Sequence, residues 1–313
     1  MSALQQLRTM TTIVADTGDL SAIARLKPVD ATTNPSLITK ALIHPDNQSM
    51  LSETMSRYQG NVDDVIDALT IKIGCNILEL IEGRVSTEVD ARLSYDTQAT
   101  IDKALAFMEA YQQAGVDSER VLIKMAATWQ GIEAARYLET QGIHCNLTLL
   151  FGQHQAIACA DAGVTLISPF VGRILDWQKR QQNRQNVPVS DDMGVQSVKL
   201  IYQYFKQHGY NTQVMGASFR STEQILALAG CDLLTIAPNL IDELATMDIE
   251  VPRQLSPSMS MALDDMTRVS LTQEEFSQAY QKDTVTQDLL PKGIDGFIGA
   301  RDELAQALAA MRS

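Results

Sequence analysis

The 313-residue sequence has only four cysteines, Cys75, Cys145, Cys159 and Cys231, with no CxxC pair among them. That excludes a disulfide-stapled scaffold; cysteines scattered this way behave as small buried hydrophobes in a reducing compartment. The four histidines, His44, His144, His154 and His208, show neither HxH nor HExxH spacing. No metal is expected, and each histidine reads as a surface or packing residue. Basic residues are in deficit, 25 Lys+Arg against 38 Asp+Glu, for a formal charge of −13. A nucleic-acid or anionic-membrane partner is therefore not expected. There is no GxGxxG fingerprint and no GxxxxGK[ST] phosphate loop, so nothing supports an open doubly wound sheet. Met1–Met10 lacks the apolar core of a secretion signal, and no run approaches membrane-spanning length. The expectation is a soluble, cytoplasmic protein.

What is present is a large potential core, 45% hydrophobic against 20% charged. Short β-rich apolar runs fall near Thr12–Ala15, Asp30–Thr33, Arg84–Val89, Val121–Ala126, Cys145–Leu150, Thr165–Pro169, Gln213–Ser218 and Leu233–Ala237. Amphipathic stretches lie between them, including Gln98–Ala114, Gly131–Thr140, His154–Ala162, Val195–His208 and Thr222–Ala229. Many end at a glycine placed to close a helix: Gly115, Gly142, Gly163, Gly209 and Gly230. Strands apolar on both faces, alternating with helices, predict a parallel sheet covered by helices. Eight of them predict closure into one (β/α)8 TIM barrel, an α/β fold, spanning residues 1–313. A cap helix is expected near residues 2–10 on the barrel's N-terminal side, and helices from about 240 to 313 around a Pro-containing loop, Val251–Ser258. The connection from Pro35 to Gly83 is expected to hold two helices. A polar loop, Arg180–Asp192, is expected before the helix that leads to strand seven.

In such barrels the interior is apolar and the active site sits at the C-terminal ends of the strands. Polar residues late in apolar strands are therefore diagnostic. Asp16 ends IVAD and Asn34 ends DATTN; Glu88 sits in VSTEV and Lys124 in VLIKMAA. Asn146 and Thr148 share one face of CNLTLLF, Ser168 follows TLI, and Arg173 lies just beyond it. Ser218 and Arg220 close QVMGASFR. Each has an ordinary reading when taken singly. Asp16 could cap a helix, Asn34 before Pro35 could make a turn, and the hydroxyls could simply be satisfied. Arg173 and Arg220 could belong to surface ion pairs, and Lys124 with Glu88 could be a structural pair. The functional reading rests on convergence, because a barrel aims all of them at one mouth.

A lysine in that position can attack a carbonyl and form a Schiff base whose iminium accepts an electron pair. Attack needs the neutral amine, and apolar neighbours disfavour the charged form. Asp16 and Glu88 are an available acid/base pair, with Thr148 able to position a water. Asn34, Asn146 and Ser168 suit the hydroxyls of a polyol. Arg173 and Arg220 suit a phosphate. The residues together describe aldolase-type chemistry on a sugar phosphate, with no cofactor.

The same stretches resemble the transaldolase family. The resemblance runs from VADTGD and DATTNPSL through GRVSTEVDARLSYDT, LIKMAATWQGI, CNLTLLF and LISPFVGRILDW to VMGASFR and LAGCDLLTIAP. After about Pro238 it is loose. It implies transfer of a dihydroxyacetone unit from fructose 6-phosphate or sedoheptulose 7-phosphate to an aldose phosphate, in the pentose-phosphate pathway. It implies Lys124 as the Schiff-base lysine, Asp16 as the proton carrier at cleavage, and Glu88 acting with Thr148 through a water. It further implies dihydroxyacetone contacts from Asn34, Asn146 and Ser168, a phosphate site of Arg173, Ser218 and Arg220, and a homodimer. Two positions depart from the family pattern: Ala127 and Gly152 stand where serines are expected, and Gly152 is followed by an unusual Gln153-His154. The nearest rival is a related aldolase that releases free dihydroxyacetone. Those relatives are shorter and carry Gln and Tyr where this chain has Glu88 and Phe170, which lines the substrate side. A third reading is a non-catalytic barrel that binds sugar phosphate.

Overall fold

The computed structural model describes residues 1–43, 47–58, 61–264 and 266–312. Eight strands close into a barrel in chain order: β1 Thr12–Asp16, β2 Asp30–Thr32, β3 Val85–Glu88, β4 Val121–Ala126, β5 Cys145–Leu150, β6 Leu166–Pro169, β7 Gln213–Gly216 and β8 Leu233–Ile236. Every neighbouring pair is parallel, including β1 with β8. Each strand was legible as an apolar run because helices cover its outer face and side chains fill its inner one.

Helix ends follow local chemistry. Asp19, Asp96, Thr128 and Asp192 accept hydrogen bonds from the first free N–H groups of the helices they precede. The five closing glycines all adopt positive φ, between 67° and 101°, which a side chain would resist. At the N-terminus, Ser2 and Gln5 form a reciprocal cap on the helix Ala3–Leu7. The helix stops short of Met10 and lies against the helix Pro238–Thr246.

Two connections differ from expectation. Three helices, not two, fill the segment after β2: Pro35–Ile43, Gln48–Arg57 and Val62–Leu78. The segment after β6 opens with a helix, Gly172–Gln182, that the sequence pattern did not disclose. It is strongly polar and shows few apolar positions, since much of it is only half-buried. Asn183 ends it in the left-handed region, φ 49°, so the polar loop starts there rather than at Arg180. Gln178 pins that loop by donating to the Asp191 carbonyl and accepting from the Met193 N–H.

The last helix, Thr284–Arg312, crosses the mouth of the barrel. Leu289, Leu290, Ile294 and Phe297 pack there against Leu149, Phe151, Phe170 and Ala217. Further along, Arg301 is buried, and a charge in that position needs partners. Its guanidinium meets Asp63 at 3.2 Å, Asp67 at 2.9 Å and Asp90 at 3.1 Å. The helix is thereby tied to the loop that follows β3. Among the described residues no helix is long and apolar enough to cross a membrane.

Candidate active site

Inside the barrel, Val14, Leu122, Leu166, Met215 and Leu233 form a separate apolar cluster. Strand side chains alternate faces, so the residue two positions further along points into the same interior. Those residues are Asp16, Lys124, Ser168, Ala217 and Thr235, and all of them line a cavity of about 200 Å³. An apolar floor therefore carries a layer directly above it that is polar except at Ala217. The cavity wall also includes Asn34, Thr148, Phe170, Arg173, Ser218 and Arg220. Of the residues read from the sequence, Glu88 and Asn146 stand behind this wall rather than in it.

Glu88 and Lys124 are register partners on β3 and β4. The Lys124 Nζ donates to the carbonyl of Thr33 at 3.0 Å and lies 3.0 Å from Glu88 Oε2. That carboxylate oxygen has no well-aligned hydrogen bond, so the contact is one of charge at close range. Burial pushes the Glu88 carboxyl above its ordinary pKa, opposed by Lys124 and, more weakly, Arg173. Burial likewise raises Asp16, opposed by Lys124, by a 3.0 Å hydrogen bond from Thr32 and by Arg173. What exposure Asp16 retains is to the cavity. Two carboxyls biased toward keeping a proton thus flank one amine.

Asn146 is fully buried, and its amide is engaged on both sides. It donates to Ser86 Oγ at 3.0 Å and accepts from Ser168 Oγ at 2.7 Å, so it reaches the cavity through Ser168. Asn34 Oδ1 caps the following helix by accepting from Leu37 N at 3.0 Å, and the residue also lines the cavity. Thr148 Oγ1 is buried without a protein partner. An unmade hydrogen bond of this kind costs about 1–3 kcal/mol.

At the other end of the cavity, the Arg173 guanidinium lies 4.9 Å from the Phe170 ring centre and 5.5 Å from that of Phe297. Burial, and after it the proximity of Arg220, lowers the Arg173 pKa from its ordinary value; an arginine remains charged nonetheless. Arg220 is held by Asp176, whose Oδ2 accepts from Nε at 3.0 Å and from Nη2 at 2.8 Å. Ser218 sits between them with φ 61°, a conformation costing a serine about 1–3 kcal/mol. It is fixed by the Gly172 N–H, which donates to the Ser218 carbonyl at 2.6 Å. A Cβ at Gly172 would stand 2.3 Å from that carbonyl oxygen, so only glycine fits. Both guanidinium groups line this end of the cavity, Arg173 against the two aromatic rings and Arg220 paired with Asp176.

Residues 13–308 match the family described as Transaldolase/Fructose-6-phosphate aldolase. The chain belongs to the transaldolase/fructose-6-phosphate aldolase family. Relatives named transaldolase include one from Acidobacterium capsulatum, 52% identical over 318 residues, covering 98% of this chain and 95% of the relative. Another, from a Nostoc species, is 52% identical over 316 residues with the same coverage. A third, from Methylococcus capsulatus, is 50% identical over 316 residues, covering 98% and 96%.

Several cavity residues of this transaldolase-family barrel were not read from the sequence. Thr32 and Thr235 hydrogen-bond to each other at 2.6 Å, and Thr32 passes the chain on to Asp16. Thr32 lies two residues before Asn34 at the end of the strand, and that spacing was a usable signal. Phe297 gave none, because only the packing of a distant helix brings it to the mouth. The two departures from the family pattern are also placed. Ala127 is buried beside β5 and its carbonyl accepts from Gln155 at 2.8 Å. Gly152 makes room for a contact between His154 and Asp283, whose Nδ1 and Oδ2 are 3.6 Å apart; a Cβ there would stand 2.3 Å from Asp283 Oδ2. His144 bonds Thr165 at 2.8 Å, His208 packs on Tyr204 with ring centres 4.6 Å apart, and His44 lies outside the described residues. None of the described histidines lines the cavity.

Proposed function

We propose that the protein is a transaldolase in which Lys124 forms the Schiff base. The observation that carries this reading is the placement of Lys124 in the layer above the apolar floor, lining the cavity and buried, with Glu88 Oε2 3.0 Å from its Nζ. The Lys124 amine attacks the carbonyl carbon of a ketose phosphate, fructose 6-phosphate or sedoheptulose 7-phosphate. Glu88 exchanges the protons of carbinolamine formation and dehydration through a water held by Thr148 Oγ1. Asp16 takes the proton of the hydroxyl beyond the scissile bond. As the carbon–carbon bond breaks, its electron pair moves into the iminium and the aldose phosphate leaves. The three-carbon enamine then adds to the carbonyl of an acceptor aldose phosphate, glyceraldehyde 3-phosphate or erythrose 4-phosphate, and Asp16 returns the proton.

Asn34 and Ser168 hold the hydroxyls of the dihydroxyacetone unit, with Asn146 orienting the Ser168 hydroxyl. Arg173, Ser218 and Arg220 hold the phosphate. Phe170 presents an apolar ring with no proton to give, which favours transfer over release of free dihydroxyacetone, as does a glutamate rather than a glutamine at position 88. A homodimer and a cytoplasmic place of action belong to the same proposal; light scattering on the purified chain tests the first.

Borohydride reduction with fructose 6-phosphate, followed by peptide mass spectrometry, tests the chemistry. The expected product is a reduced three-carbon adduct on Lys124. Folded protein that binds the sugar without any adduct would turn the reading to a sugar-phosphate-binding barrel. Release of free dihydroxyacetone at the transfer rate, with erythrose 4-phosphate absent, would turn it to a lyase.

A further inference from the structure

Strand β5 carries an irregularity next to the cavity. Leu147 pairs with Ile167 and Leu150 with Pro169, so Thr148 and Leu149 together face Ser168 alone. This is a β-bulge, a device that re-aims side chains beside functional sites. Its second residue, Leu149, has φ 53°, left-handed although it is not glycine. The twist turns the leucine toward the last helix, where a Cβ on Gly293 would stand 2.7 Å from Leu149 Cδ2. It leaves Thr148 in the cavity wall, with its Oγ1 free of protein partners.

A bulge interrupts the ladder and leaves backbone groups without strand partners. Here one side chain takes them up. Gln155, in the first turn of the helix Gln153–Asp161, is fully buried. Its Nε2 donates to the Ala127 carbonyl at 2.8 Å and to the Leu149 carbonyl at 3.1 Å. Its Oε1 accepts from the N–H groups of Phe151 at 2.8 Å and Gly152 at 3.1 Å. Both donors and both acceptor positions of the amide are used, and the four backbone groups belong to the ends of β4 and β5. No other natural side chain of this length offers two donors and an acceptor from one planar head.

We propose that Gln155 is a positioning residue for catalysis: it locks the β5 bulge and thereby fixes the aim of the Thr148 hydroxyl. The inference rests on the reading of Thr148 given above. Without the amide, Leu149 is free to relax toward extended backbone, and a shift of one residue turns every following side chain to the opposite face. Thr148 would lose its aim while the cavity kept its other walls. Asn34, Ser168, Arg173 and Arg220 come from other elements, so substrate binding should persist. The defect should appear in kcat and not in KM.

The test is a double-mutant cycle with Thr148→Val and Gln155→Leu, measuring kcat, KM and the single-turnover rate of borohydride-trapped adduct. Each single variant should lose about 10- to 100-fold in kcat and in the trapping rate, at the lower edge of what one proton-transfer aid contributes. KM should stay within about threefold of the parent. The double variant should be no slower than the slower single one, since both changes remove the same function. If Q155L fails to fold, Gln155→Glu replaces it in the cycle; it keeps the volume and the acceptor but loses the donors to Ala127 and Leu149. An impaired T148V whose loss multiplies with that of the Gln155 variant overturns the inference alone. Full kcat in T148V overturns the reading of Thr148 and the inference with it.

Discussion

The Lys124 amine and the Glu88 carboxylate stand 3.0 Å apart on neighbouring strands, with side-chain exposures of 6% and 3%. Removing one partner of such a pair leaves the other buried alone, a loss of about 3–5 kcal/mol when the remaining charge cannot adapt. Glu88 can adapt, because burial already moves its carboxyl toward the protonated form. Lys124→Met should therefore stay folded, with activity and trapped adduct both abolished. Glu88→Gln should also fold and lose about 10²- to 10⁴-fold in kcat. A coupled transfer assay beside circular dichroism checks both; an active K124M would dismiss the covalent route.

Asp16 gives a pH-dependent expectation. Its pKa is raised on folding, so the native state holds the proton more tightly than the unfolded chain does. Stability from this group is then complete below the ordinary carboxylate value and declines as pH rises through the raised one. Asp16→Asn removes that decline. The variant should melt higher than the parent at pH 8, with the gap closing as pH falls toward 4. Thermal melts across that range decide it, and a gap that widens toward acid would contradict the assigned direction.

Arg220 is already oriented by Asp176 through two hydrogen bonds. Charge-assisted contacts to a phosphate are worth about 1.5–3 kcal/mol each. Arg220→Ala should raise KM for phosphorylated substrates by roughly 10- to 100-fold and change kcat less. Steady-state kinetics on erythrose 4-phosphate reads this directly, and an unchanged KM would locate the phosphate elsewhere.

Gly152→Ser tests the contact beneath the last helix. The new Cβ would fall 2.3 Å from Asp283 Oδ2 and 2.6 Å from the His154 ring. Asp283 also caps that helix, accepting from the N–H groups of Val285 and Thr286. Displacing it should cost about 1–3 kcal/mol, a melting temperature lower by several degrees. An unchanged melt would show that Asp283 gives way freely.

Much of this site could be read from the chain because a barrel turns sequence position into spatial position. A charged residue late in an apolar strand, as Lys124 is in VLIKMAA, has one place to go. The same logic located Asp16, Glu88 and Ser168. It did not reveal that Glu88 and Asn146 stand behind the wall, since depth within a strand end depends on stagger between strands. Nor did it reveal the Thr32–Thr235 hydrogen bond, which links strands far apart in sequence on either side of β1. Phe297 and Gln155 were out of reach for another reason. Both sit on helices, one distant and one immediately after β5, and their local patterns mark only helical faces. The polar helix Gly172–Gln182 was hidden because its apolar stripe is thin.

The apolar layer of Val14, Leu122, Leu166, Met215 and Leu233 has a kinetic meaning. It stoppers the barrel axis directly beneath Lys124, so the cavity has no rear exit along that axis. A molecule that enters along the axis from the mouth must leave towards the mouth again. On the mechanism proposed at Lys124, the first aldose phosphate would have to vacate before the second could approach the bound fragment, so that the order of release and then capture would be set by plumbing rather than by any regulatory device.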